Sequence, residues 1–91
     1  ARELGPFKIR CNAILPGMID NPRGRKLTEL KAKERGVSLE RQEQESLKYK
    51  SMRTRIQPSE IGDMAVFLAS LAACHITAQE IAVDGNSEWE E

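Results

Sequence analysis

Cysteine, histidine and aromatic residues are scarce in this chain, and each shortage removes a class of function. The two cysteines, Cys11 and Cys74, are too few and too far apart to form the disulfide framework of a small secreted domain. A reducing, cytoplasmic setting is therefore expected. His75 is the single histidine, and with Cys74 beside it and Cys11 elsewhere it falls short of the four ligands a structural zinc needs, so no metal site is assigned. One tyrosine and one histidine are likewise too few for an ordinary acid–base or nucleophilic set, and no catalytic residue is assigned. No glycine cluster follows a strand, so nothing here cradles a pyrophosphate at a helix N-terminus. An excess of one charge is also missing: 14 basic and 14 acidic side chains cancel, which disfavours nucleic acid as a partner. No apolar run reaches the roughly 20 residues that span a bilayer. Nor does Ala1-Arg2-Glu3-Leu4 have the charged-then-apolar plan of a signal peptide. A soluble chain without a membrane partner is expected.

What is present reads as pieces of an α/β unit. Ala1-Arg2-Glu3-Leu4 resembles the last turn of a helix that Gly5-Pro6 stops, which puts the expected start of the native chain upstream. Residues 8–15 are mostly apolar, with Ile9, Cys11 and Ala13 on one face and Asn12 and Ile14 on the other, as in a parallel strand buried on both sides. Cys11 there reads as a small apolar side chain rather than a nucleophile. Pro16-Gly17 ends the strand.

Residues 18–57 are polar, with helical stretches over 27–35 and 39–52 separated by Gly36 and an N-cap at Ser38. Excursions of this length are more often lids or binding loops than plain connections. Arg23, Arg25, Lys26, Lys31, Lys33 and Arg35 make a basic stretch, but Glu29 and Glu34 interrupt it and favour a solvated helix face. From Pro58 the pattern sharpens: Ile61, Met64, Ala65, Leu68, Ala69 and Ala72 repeat at helical spacing, predicting an amphipathic helix over 58–72. Residues 79–83 follow as a strand, and Asp84-Gly85-Asn86 as its closing turn. Strand, crossover with a helix, strand implies parallel pairing through a right-handed connection. Alone, such a unit leaves an unpaired edge and an uncovered face, so it needs neighbours.

Three motifs, in order, carry a family resemblance. Ile9-Arg10-Cys11-Asn12-Ala13-Ile14-Leu15-Pro16-Gly17, preceded by Glu3-Leu4-Gly5-Pro6, is similar to the sixth strand of the short-chain dehydrogenases/reductases, with Cys11 in place of the usual valine. Pro58-Ser59-Glu60-Ile61-Gly62-Asp63-Met64-Ala65-Val66-Phe67-Leu68-Ala69-Ser70 resembles the family's penultimate helix. Ile76-Thr77-Ala78-Gln79-Glu80-Ile81-Ala82-Val83-Asp84-Gly85 resembles its last strand. Ala78 and Asn86 stand where the family commonly has glycine, which implies small backbone changes.

The resemblance implies an α/β fold, the C-terminal βαβ portion of a Rossmann-like doubly wound parallel sheet. It divides the chain into a helix end and strand (1–17), a substrate-binding lid (18–57), a helix (58–72) and the last strand with its turn (79–86). It further implies that Pro16, Gly17, Met18, Ile19 and Asn21 touch the nicotinamide end of NAD or NADP, with Asn21 in the place of a threonine that bonds the carboxamide or a phosphate. The implied parent transfers hydride between the nicotinamide and a carbonyl or alcohol carbon of a small-molecule substrate. The family's catalytic tyrosine and lysine lie upstream of this chain, and Tyr49 with Arg53 is no copy of them. A homodimer or homotetramer through the last helix and strand is implied too, with Trp89 a candidate for its interface. Two alternatives come from the residues alone. One is a small helical interaction module using the apolar face of 61–72. The other, a nucleic-acid-binding helix pair resting on Arg53 and Arg55, is disfavoured by the zero net charge.

Overall fold

Prolines and capping residues set where the three α-helices of this chain begin. The computed structural model describes residues 1–88. Strand β1 (Ala13–Pro16) pairs in parallel with β2 (Glu80–Val83), in register from Ala13 opposite Glu80 to Pro16 opposite Val83. Helices α1 (Pro22–Arg35), α2 (Leu39–Leu47) and α3 (Pro58–Ala69) lie between them, followed by a 3-10 turn at Leu71–Ala73. The architecture is therefore α/β with a parallel sheet, of the Rossmann-like kind expected.

Local chemistry accounts for the boundaries. The Asn21 side chain accepts from the Gly24 amide at 2.7 Å, and Pro22 follows it, so α1 starts upstream of the predicted residue 27. Gly36, at φ 66°, closes α1 in a Schellman arrangement in which the Val37 amide bonds the Ala32 carbonyl at 3.1 Å. Ser38 caps α2 by accepting from the Arg41 amide at 3.1 Å. That helix stops at Leu47 instead of residue 52 because the chain is drawn off sideways: Ser51 and Met52 donate to the Asn86 and Gly85 carbonyls at 2.9 and 3.1 Å. The Glu60 carboxylate accepts from the Gln57 amide at 2.6 Å at the start of α3. The extended backbone of Ser70 ends that helix short of residue 72.

Three expectations are corrected. The turn over 1–4, closed by the Gly5 amide on the Ala1 carbonyl at 2.9 Å, does not stop at Gly5-Pro6 but runs on through a 3-10 turn at Gly5–Phe7, and Lys8, at φ 63°, ends it. The proline is tolerated there because the first residues of a helical turn need no amide donor. The strand predicted over 8–15 enters regular pairing only from Ala13: the Ala78 amide still bonds the Cys11 carbonyl at 2.7 Å, but the left-handed backbone of Ala78, at φ 61°, interrupts the ladder there. Before that point Arg10 donates to the Leu68 carbonyl near the end of α3. The Asn12 amide bridges the Ile76 carbonyl at 2.9 Å and the Gln79 amide at 3.0 Å. Arg10 and Asn12 thus brace the junction between α3 and β2.

The third correction concerns burial. Cys11 is exposed and Leu15 is 48% exposed, because no further strand or helix covers their faces. Surface area and shape say the same of the whole chain. Its 7115 Å² of accessible surface exceeds the about 5,300 Å² of a compact monomer of this mass. Its radius of gyration, 17.1 Å, exceeds the about 12 Å of a compact 91-residue domain. Val66 and Leu71 are 71% and 91% exposed. The candidate interface residue Trp89 lies outside the described residues.

Candidate functional site

The turn out of β1 owes its path to a glycine. The Gly17 amide donates to the Val83 carbonyl at 3.0 Å, and a Cβ at Gly17 would sit 2.6 Å from the Asp84 Cα. Only a residue without a side chain lets residues 16–17 cross so close to the end of β2. Downstream, the Ile56 amide bonds the Met18 carbonyl and the Asp20 amide bonds the Ile56 carbonyl, each at 2.8 Å. Residues 18–20 are thereby stitched to the segment that leads into α3.

This stitched loop forms one wall of a concavity of about 650 Å³. All five sequence-predicted site residues, Pro16, Gly17, Met18, Ile19 and Asn21, line it. The opposite wall comes from α1, through Arg23, Leu27 and Lys31, and from Ser46, Lys50 and Ser87. Lys50 and Ser87 form an antiparallel bridge, and the Lys50 ammonium donates to the Ser87 hydroxyl at 2.7 Å.

A buried arginine holds the walls together. Arg55, with a side chain only 4% exposed, donates to both carboxylate oxygens of Glu43 on α2, at 2.5 and 2.8 Å. It also donates to the Thr28 hydroxyl on α1 at 2.8 Å and to the Ile19 carbonyl at 3.2 Å. One guanidinium thus joins two helices and the loop, and its fork geometry suits the bidentate carboxylate. The Arg55 guanidinium holds the Glu43 carboxyl below its ordinary value. Asp20 is held low as well, by its hydrogen bond from Arg25 at 2.7 Å and then by that from Gln57 at 3.1 Å. Arg35 adds a clasp between the helices by donating to Gln42 at 2.6 Å and to Glu45.

Several of these contacts escape sequence reading. Arg55 was weighed as a nucleic-acid contact, yet its charge is spent internally. No spacing rule links residues 28, 43 and 55, which meet only once the helices pack. Gly24 is different, since the N-cap at Asn21 points to the residue three positions on. A Cβ at Gly24 would lie 3.0 Å from the Ile19 carbonyl and 3.2 Å from Arg55. The basic stretch on α1 is sorted by the fold: Arg25 and Arg35 pair with Asp20 and Glu45, while Arg23 and Lys31 line the concavity. Cys11, Cys74 and His75 are exposed, and among the described residues no three potential ligands cluster. Among those residues, too, no helix is long and apolar enough to cross a membrane.

A family model described as enoyl-(acyl carrier protein) reductase matches residues 1–86. The chain belongs to the short-chain dehydrogenase/reductase family. It is 34% identical over 85 residues to (3R)-3-hydroxyacyl-CoA dehydrogenase of Mus musculus, covering 93% of this chain and 29% of that relative. A short-chain dehydrogenase family protein from Francisella tularensis superposes with a TM-score of 0.85 at 29% identity, over 93% of this chain and 35% of that one. A 3-oxoacyl-(acyl-carrier protein) reductase from Brucella melitensis, solved with bound NAD, superposes with a TM-score of 0.70 at 32% identity, over 99% and 28%. The chain therefore spans about a third or less of the length of these relatives. Against the family pattern, Ala78 and Asn86 take φ values of 61° and 62°. Both positions thus hold the left-handed conformation that glycine adopts at least cost.

Proposed function

We propose that these residues act as the C-terminal part of an NAD(P)-dependent oxidoreductase that interconverts carbonyl and alcohol groups of a small molecule. The observation that carries this reading is the concavity beside the Pro16–Asn21 loop, held open by the Arg55 network in a chain of this family. The residues present fit the nicotinamide end of the cofactor. Met18 and Ile19 offer apolar surface, and the Asn21 amide offers donors. When bound, the dinucleotide supplies or accepts a hydride at the substrate carbon.

The chain's own residues then position and enclose. The Oδ1 of Asn21 is already used by the α1 cap, so Asn21 meets a ligand through its Nδ2 donors, toward a carboxamide or phosphate oxygen. Residues 18–57 cover the substrate and exclude water, with α1 as the covering wall. The acid–base residues and the pyrophosphate cradle come from outside residues 1–91. The exposed apolar side of α3 and the edge of β2 pack against further elements or a second copy, giving a homodimer or homotetramer in the cytoplasm.

Asn21→Asp tests the loop's role, because aspartate keeps the helix cap but removes the amide donors. In the protein that carries this chain, the melting temperature stays near that of the parent while KM for the dinucleotide rises about tenfold, the equivalent of one lost hydrogen bond. An unchanged KM would remove Asn21 and its loop from the cofactor site.

A further inference from the structure

The walls of the concavity carry charge of one sign in a chain whose total charge is zero. Four cationic side chains line it, Arg23, Lys31, Lys50 and Arg55, and no carboxylate does. Arg55 is neutralised by Glu43. The other three form no ion pair among the described residues, and Lys50 touches only a neutral hydroxyl there. Arg23, Leu27 and Lys31 recur every four residues, so they share one face of α1. Glu29 and Glu34 lie outside the lining, and the remaining arginines of the helix are paired elsewhere. Of the six cations of α1, Arg25 and Arg35 are paired, Lys26 and Lys33 lie outside the lining, and Arg23 and Lys31 face the concavity beside Lys50. A concave, partly apolar wall concentrates their field and favours a bound anion.

Building on the oxidoreductase reading above, we infer that the substrate is an anionic carbonyl or alcohol compound. Its carboxylate or phosphate is held by Arg23, Lys31 and Lys50, while its reacting carbon lies toward the Pro16–Ile19 wall. Leu27, between the two cations of α1, contacts the apolar stretch joining these ends. Arg23 favours the planar, two-oxygen contact, and the lysines act as point charges. The phosphates of the dinucleotide are the other source of the same chemistry, and kinetics separates the two.

The test uses the protein that carries this chain, with acetoacetate against methyl acetoacetate and a formylbenzoate against its methyl ester. Oxidation of NADH and NADPH is followed in each case. The acids show KM values about tenfold below their esters, as one charge-assisted contact gives. Raising ionic strength from about 0.1 to about 1 M, which shortens the Debye length from about 10 to about 3 Å, narrows that preference. Arg23→Gln and Lys31→Gln, both at exposed positions, reduce the acid-over-ester preference about tenfold through KM of the acid. Lys31→Arg restores it, and Lys26→Gln, outside the concavity, leaves it intact. Equal KM values for acid and ester, or a rise in the dinucleotide KM in place of the acid KM, overturn the inference alone. No dinucleotide oxidation with any compound overturns the oxidoreductase reading and this inference with it.

Discussion

The polar excursion and the paired strands with α3 solve the burial problem in opposite ways. In the excursion, the side chains between α1 and α2 are small or polar, and Thr28, Gln42 and Arg55 are buried with their hydrogen bonds made. Around the strands and α3 the side chains are apolar and left open, with Leu71 91% exposed and Leu15 48% exposed. Buried polar groups demand a complete set of partners at once, whereas apolar faces wait for whichever surface covers them. The polar network of the excursion is thus complete within these residues, although Leu27, Leu30, Leu39 and Met52 beside it are 49–70% exposed, while the strands leave apolar faces uncovered.

Breaking that polar network should cost most. Arg55→Met leaves the Glu43 carboxylate and the Thr28 hydroxyl without their donor, and should destabilise the protein by about 3 kcal/mol in denaturant titration. A change under about 1 kcal/mol would show the network to be ornamental. Next comes a pair of glycines. Gly17→Ala forces a Cβ into Asp84 and should cost about 2 kcal/mol as overpacking. Gly62→Ala meets nothing within 4 Å on α3 and should stabilise by about 0.5–1 kcal/mol. Equal effects at the two positions would show that the β1 exit is not crowded. A gain of about 1 kcal/mol is expected for Ala78→Gly, since glycine adopts the left-handed backbone there without the Cβ penalty.

Acid should give the smallest effect, confined to the excursion. Glu43 is depressed by the Arg55 guanidinium, Glu45 by Arg35, and Asp20 by Arg25. Their contribution is complete above the ordinary carboxylate values of 4.5 and 3.8 and is lost as pH falls through the lower folded values. Amide exchange across α1 and α2 should therefore quicken below about pH 4 before exchange in β1 and β2 does. Strands that open first would contradict the assignment of the ion pairs to the excursion alone.

Legibility followed the range of the interactions. The two strands and α3 are readable because apolar runs, i to i+4 spacing and Pro-Gly punctuation are local signals, whereas the Pro16–Asn21 loop is singled out only by the family resemblance. Caps at Asn21 and Ser38 are local signals too, although only Ser38 was identified. The Arg55 link to Glu43 and Thr28 joins three segments that sequence leaves unconnected, so it was invisible. Cys11 was read as buried because its strand pattern belongs to a sheet with neighbours, and these residues supply none. The basic stretch of α1 was read as one solvated face because periodicity cannot say which cations find carboxylates from α2 or the loop.

The central claim is that this chain supplies one wall of a dinucleotide site whose remainder lies beyond residues 1–91. Calorimetric titration of NADH and NADPH into residues 1–91 alone, and into the protein carrying them within a full-length sheet, tests it most directly. The account predicts saturable one-to-one binding by the longer protein and none by the isolated residues. Stoichiometric binding by residues 1–91 alone would contradict it.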